Sequence, residues 1–210
     1  MHEKSLPEGS KELLARLAKD TPPTLQGWIL AGGTGLALWL GHRLSDDFDF
    51  FRNAGMDLPG LHEVFRQLGA YETLQEAENT LTVIVSGTKI SFFQILDPFL
   101  FEPKPYRFFS LADIRDIALM KLIAISGRGS RKDFVDLYTI LRSGISLEDC
   151  FKILPDKYGP GRANTYHILK SLTYFEDAEK EPLPRMLEPF EWEECKAFFA
   201  REAQSLVLPP

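Results

Sequence analysis

The apolar positions change period several times along the chain, and each change predicts an element. Ser10 to Lys19 sets Leu13, Leu14 and Leu17 on one face, which predicts an amphipathic helix closed by Thr21-Pro22-Pro23. Gly27 to Ala31 is a short apolar run into Gly32-Gly33, the pattern of a buried strand entering a turn. Thr34 to Leu40 is apolar all round and reads as a short, wholly buried helix. Asp47 to Arg52 alternates Asp with Phe. That period of two predicts a strand with Asp47 and Asp49 on one face and Phe48, Phe50 and Phe51 anchoring the other.

Leu58 to Leu68 returns to helical spacing and stops at Gly69. Tyr71 to Leu74, Thr80 to Ser86 and Lys89 to Leu96 read as strands, the last two joined in a hairpin across Gly87-Thr88. Pro98, Pro103 and Pro105 mark an irregular loop. From Ser110 the pattern is helical, with capping-box spacings at Ser110/Asp113 and Ser130/Asp133. Breaks are expected at 155–161 and 182–189, where Pro and Gly gather. The expected fold class is α/β (α+β): a mixed sheet flanked by helices over residues 1–108, then a helical C-terminal region over 109–210 packed on that core.

Composition narrows the classes. An apolar share of 44% and a charged share of 26% are those of a globular chain with a packed core, which excludes global disorder. The 16 phenylalanines supply most of that core, with a few free to stack on a base. A formal net charge of −6 excludes a broad basic footprint, so a polyanion has to be met locally. The segment Lys121 to Lys132 supplies such a cluster, with Lys121, Arg128, Arg131 and Lys132. Cys150 and Cys195 lie far apart and outside any metal-ligand spacing, as two reduced thiols of a cytoplasmic protein would. The first residues lack a signal-peptide apolar stretch, and no apolar run reaches the ~20 residues that span a bilayer, so no membrane partner is expected.

Two chemical devices fall within twenty residues. Gly32-Gly33-Thr34 turns into a helix, whose first N–H groups are unpaired and carry partial positive charge. Glycine lets the backbone approach an anion, and the Thr34 hydroxyl adds a donor, so the turn suits a β- or γ-phosphate. The same turn also serves as plain strand–helix punctuation. Asp47 and Asp49, about 6–7 Å apart along one strand face, suit a hard cation such as Mg²⁺, with Mn²⁺ as a substitute. The bland alternative is a solvent-facing strand with two surface charges. Asp46 points the other way and reads as a cap of the preceding turn. His42 reads as a structural residue close enough to touch phosphate.

Together, Gly32-Gly33-Thr34, then Arg43, Ser45, Asp47 and Asp49, resemble the motif of the AbiEii abortive-infection nucleotidyltransferase toxins, within the DNA-polymerase-beta-like nucleotidyltransferase superfamily. The second half of the pattern, Lys121 on a helix followed by Arg131-Lys132-Asp133 and Asp136-Leu137, is similar as well. The resemblance covers residues 27–141. It implies a Mg²⁺-dependent enzyme that moves a nucleotide from a nucleoside triphosphate to an RNA (tRNA) or protein hydroxyl, as the toxin beside an antitoxin or in phage defence.

By the same resemblance Asp47 and Asp49 hold the metal and Lys121 meets the triphosphate, helped by Arg131 or Lys132. Gly32, Gly33, Thr34, Arg43 and Ser45 contribute to nucleotide binding. Asp136 joins the catalytic set, and Asp133 with Asp136 positions Lys121 or the metal shell. The alternatives are local: Asp133 as part of the Ser130 capping box, Asp136 in a salt bridge to Lys132, and Lys121 as a snorkelling surface lysine. The superfamily's third carboxylate has no counterpart here. Ser91 stands at its place, with Gln94 and Asp97 the nearest polar substitutes. The competing reading is a nucleotide-binding module that has lost turnover. Convergence of Asp47, Asp49, Thr34 and Lys121 on one cleft is expected of the enzyme.

Overall fold

A computed structural model describes residues 1–19 and 22–206. The chain divides into two compact units, Met1–Pro98 with Glu102–Asp113, and Phe99–Phe101 with Ile114–Pro210. The break falls a few residues after the expected 108/109 boundary, because a short strand follows Phe108.

The first unit begins with helix α1 (Glu8–Lys19), which buries Leu13, Leu14 and Leu17 as their spacing requires. Thr21, expected to help close that helix, lies outside the described residues. Strand β1 is only Ile29–Leu30, and helix α2 (Gly32–Leu40) follows without a loop. Gly41 ends α2 at φ 67°, the left-handed conformation that glycine adopts without a Cβ penalty. Strand β2 (Phe48–Arg52) leads through helix α3 (Leu58–Leu68) to β3 (Tyr71–Ala77), β4 (Thr80–Val85) and β5 (Thr88–Gln94). The proline-rich stretch, expected as an irregular loop, carries strands β6 (Lys104–Tyr106) and β7 (Phe109–Leu111). Ser110 therefore sits in a strand and caps no helix.

These strands form one seven-stranded mixed sheet, ordered β3-β4-β5-β2-β1-β7-β6. The middle strand, β2, pairs antiparallel with β1 and parallel with β5. Alternation sends Phe48 and Phe50 into the core, where Phe50 stacks on Phe92 with ring centroids 5.2 Å apart. Phe51 departs from the expectation. It shares the parity of Asp47 and Asp49, lies on their face only partly buried, and stacks on Phe93 across the sheet at 5.2 Å.

The second unit is helical: α4 (Ile114–Arg128), α5 (Arg131–Arg142), α6 (Leu147–Tyr158), α7 (Thr165–Ser171), α8 (Glu176–Glu179) and α9 (Trp192–Ser205). Pro155, expected to break the chain, is accommodated inside α6. Phe134 anchors the core, with Phe175, Trp192 and Phe199 around it. A buried ion pair, Lys157 Nζ to Asp116 Oδ1 at 2.8 Å, adds a polar centre. The same carboxylate accepts the N–H groups of Leu100 and Phe101, which ties that short segment to the unit.

Candidate active site

The glycine turn and the Asp-x-Asp strand meet in the first unit because backbone bonds lock them together. The Ala31 N–H donates to the Asp49 carbonyl at 3.1 Å. The Thr34 hydroxyl donates to the Asp47 carbonyl and lies 2.8 Å from the Ser45 hydroxyl. Thr34 is 1% exposed. Its hydroxyl is thus spent on positioning the aspartate strand, and what it can offer an anion is its backbone N–H. Ser45 is fixed in turn by its own N–H, which donates to the Ser5 carbonyl at 2.9 Å.

Gly32 and Gly33 answer to two different neighbours. Gly32 has φ 63°, and a Cβ there would lie 3.0 Å from Asp49 Oδ2. The Asp49 carboxylate therefore rests directly against the opening of α2. At Gly33 a Cβ would lie 2.3 Å from Arg43 Nη2. Arg43 is nearly buried, and its Nη1 donates to the Leu44 carbonyl at 3.0 Å. A guanidinium and the leading N–H groups of a helix thus sit beside the same short stretch of backbone. His42 is buried, 3% exposed.

Asp47 and Asp49 are both partly exposed, and Asp46 is exposed. Lys89, on β5, was not foreseen. Its Nζ lies 2.7 Å from Asp47 Oδ2, with the two side chains 40% and 37% exposed. Burial works to lower the Lys89 pKa. The hydrogen bond to Asp47 and the charges of Asp47, Asp49 and Asp46 outweigh it, so the ammonium is held above the ordinary lysine range. Ser91 is in register with Asp49 on the adjacent strand, and its hydroxyl accepts from Thr82 at 3.3 Å. Gln94 has the opposite parity and falls on the other face. The parity of Lys89 with Ser91 was readable in the sequence. The cross-strand register that sets Lys89 against Asp47 was not.

Among the described residues no group of three or more His, Cys, Asp or Glu is placed to hold a metal. The donor set is the two carboxylates. That fits Mg²⁺, which takes one or two carboxylates and completes its shell with phosphate oxygens and water.

Lys121 and its partners lie in the second unit, in its interior. Lys121 Nζ is 2.8 Å from Asp133 Oδ1 and 2.6 Å from Asp136 Oδ2, and both carboxylates are fully buried. Arg128 adds two bonds to Asp133, at 2.7 and 2.9 Å. The local alternatives give way to this network. Lys121 is no surface lysine, Asp136 pairs with Lys121 and not with Lys132, and Ser130 donates to Glu181 in place of capping α5. Arg131 is committed as well, donating to the carbonyls of Ala178 and Glu179 with its guanidinium over the Trp192 ring. Lys132 is exposed. Thr34, Asp47 and Asp49 thus converge in one unit, while Lys121 is buried in the other.

Burial pushes the Asp133 carboxyl up, but the Lys121 charge and the Arg128 hydrogen bond prevail and hold it below the ordinary carboxylate range. A lowered pKa stabilises the fold above the unfolded value, and that stability is lost as pH falls through the folded one. Melting temperature should therefore fall as pH drops below about 4. Circular dichroism across that range checks it, and a melting point that rises on acidification would contradict it. The two cysteines are buried free thiols, and burial pushes Cys150 up to about 12 and Cys195 up as well, which favours the thiol over the thiolate in both.

Residues 13–97 match the family described as the nucleotidyl transferase AbiEii toxin of type IV toxin–antitoxin systems. An uncharacterized protein of Aquifex aeolicus (strain VF5) is 38% identical over 185 residues, spanning 86% of this chain and 88% of that one. Among solved structures, the nucleotidyltransferase toxin MenT4 of Mycobacterium tuberculosis H37Rv aligns with a TM-score of 0.57 at 16% identity, over 93% of this chain and 81% of its own. JHP933 of Helicobacter pylori aligns at 0.54 and 18% identity, over 97% and 89%. At such identities the structural likeness speaks for the fold, the α/β nucleotidyltransferase architecture.

Proposed function

We propose that this chain, whose residues 13–97 match the AbiEii nucleotidyltransferase family, moves a nucleoside monophosphate from a nucleoside triphosphate to an RNA or protein hydroxyl, as the toxin of a toxin–antitoxin or phage-defence pair. The observation that carries the reading is the contact between the two devices: Asp49 Oδ2 lies against the Gly32 turn that opens α2, with Arg43 beside Gly33. A triphosphate laid along that turn brings its phosphate oxygens to the carboxylate pair.

In the proposed reaction an acceptor hydroxyl attacks the α-phosphorus, the bond to the bridging oxygen breaks, and pyrophosphate leaves. Asp47 and Asp49 hold Mg²⁺, which when bound supplies Lewis-acid stabilisation to the phosphate oxygens. The N–H groups at Gly33 and Thr34, with Arg43, bind and orient the phosphates, so the rate gain is one of positioning and charge. Thr34 and Ser45 keep the aspartate strand at the turn. The acceptor proton goes to water, because Asp133 and Asp136 are engaged with Lys121 and Arg128. Action in a reducing cytoplasm, and a tRNA end as acceptor, complete the proposal.

Gly33→Ala tests the phosphate cradle. The added methyl must displace the Arg43 guanidinium. Losing one charge-assisted hydrogen bond costs about 1.5–3 kcal/mol, which is a rise of roughly 10–100-fold in nucleotide Kd. Calorimetric titration with a triphosphate and Mg²⁺ measures it; wild-type affinity in a folded variant would remove Arg43 and Gly33 from the site. The reaction itself is tested by its products. Pyrophosphate release dependent on Mg²⁺ and an acceptor is expected. Release of inorganic phosphate alone would indicate γ-phosphoryl transfer, and tight nucleotide binding with neither product would indicate a binding module.

A further inference from the structure

We propose that Lys89 is a fixed cation of this site, a positioning residue that holds Asp47 and takes the place of a second metal ion, so that one divalent cation enters with the nucleotide. The inference rests on the nucleotidyl-transfer reading and deepens it. Its grounds are on the strand next to the aspartates. β5 runs parallel to β2 with Ser91 beside Asp49 and Ile90 beside Phe48, which puts Lys89 opposite Asp47, on the same face. The ammonium reaches Asp47 Oδ2 at 2.7 Å.

A two-metal site needs enough carboxylate oxygens to hold two dications about 3.5–4 Å apart. Here β5 turns an ammonium and a hydroxyl toward the pair, and the Ser91 hydroxyl is already bonded to Thr82. The two carboxylates already face the Lys89 ammonium, with the Arg43 guanidinium at the adjoining turn, so the charge of one Mg²⁺ is met mainly by the triphosphate oxygens. A second dication would meet the Lys89 charge at close range, and among the described residues no group of three or more His, Cys, Asp or Glu is placed to hold it. Lys89 also fixes one oxygen of Asp47.

The experiment is Mn²⁺ binding to the full-length chain, followed by electron paramagnetic resonance, with and without a non-hydrolysable α,β-methylene triphosphate. Wild type should bind one Mn²⁺ per chain at saturation with the analogue. Without nucleotide, Lys89→Ala should bind Mn²⁺ at least about tenfold more tightly, since a competing cation has been removed from Asp47. Lys89→Arg, which keeps the charge, should stay close to wild type. Lys89 is partly exposed, and melting curves show that each variant is folded. Two Mn²⁺ ions in wild type, or Lys89→Ala affinity within twofold of wild type, would overturn the role of Lys89 and leave the metal pair standing. No Mn²⁺ bound to wild type even with the analogue would overturn the metal pair and the role of Lys89 together.

Discussion

Replacing both Asp47 and Asp49 by Asn is expected to abolish nucleotidyl transfer, lowering turnover by at least about a thousandfold, with little change in melting temperature. The magnitude follows from the chemistry removed: charge stabilisation by a bound metal amounts to several kcal/mol, and about 4 kcal/mol is a thousandfold in rate. The fold should survive, because the bonds that place these residues are made by backbone. Thr34 reaches the Asp47 carbonyl and Ala31 the Asp49 carbonyl; Asn preserves both. The Asp47–Lys89 ion pair, which the variant loses, is more than a third exposed on each side. Such pairs are worth about 0–1 kcal/mol. Steady-state pyrophosphate release beside a melting curve makes the measurement. Near-wild-type turnover in a folded double variant would remove the pair from the chemistry.

Lys121→Met should show the opposite profile, a large loss of stability. Lys121 is the shared partner of two fully buried carboxylates. Breaking a buried pair from one side costs about 3–5 kcal/mol, since the remaining charge is left uncompensated. Arg128 can still serve Asp133, but the ammonium 2.6 Å from Asp136 Oδ2 is gone. For a chain of this size that is roughly 6–20 °C in melting temperature. The family resemblance gives Lys121 a role at the triphosphate. That role would show as lost turnover with an unchanged melting point, so thermal unfolding and kinetics on the same variant separate the two. Lys121 held charged above the ordinary lysine range, by Asp136 and Asp133 against the cost of burial, is consistent with a structural centre.

The sequence carried the site's outline because the relevant signals are local. Gly32-Gly33 opening a helix and Asp47-x-Asp49 on a strand are short-range patterns, and both lie where their spacing puts them. The features that escaped depend on register or on distant partners. Strands β6 and β7 are three residues each, too short for a period to emerge among prolines. They exist because β1 and its neighbours offer an edge to pair with. Phe51 follows two alternating phenylalanines, and its apolar character outweighed its parity in the reading. The Thr34 hydroxyl looked like a ligand donor until Ser45 and the Asp47 carbonyl claimed it. Lys121, Asp133 and Asp136 were visible as a set, yet only packing tells an internal charge network from an open cationic pocket. Lys89 needed the β2–β5 register.

The most direct test of the account follows the α-phosphate. Purified protein is incubated with each α-phosphate-labelled nucleoside triphosphate and Mg²⁺, with total RNA or cell extract as acceptor, beside the Asp47→Asn/Asp49→Asn variant. The account predicts label on RNA or on protein with the wild type, and none with the variant. Label absent with every triphosphate despite Mg²⁺-dependent nucleotide binding, or equal in wild type and variant, would contradict it.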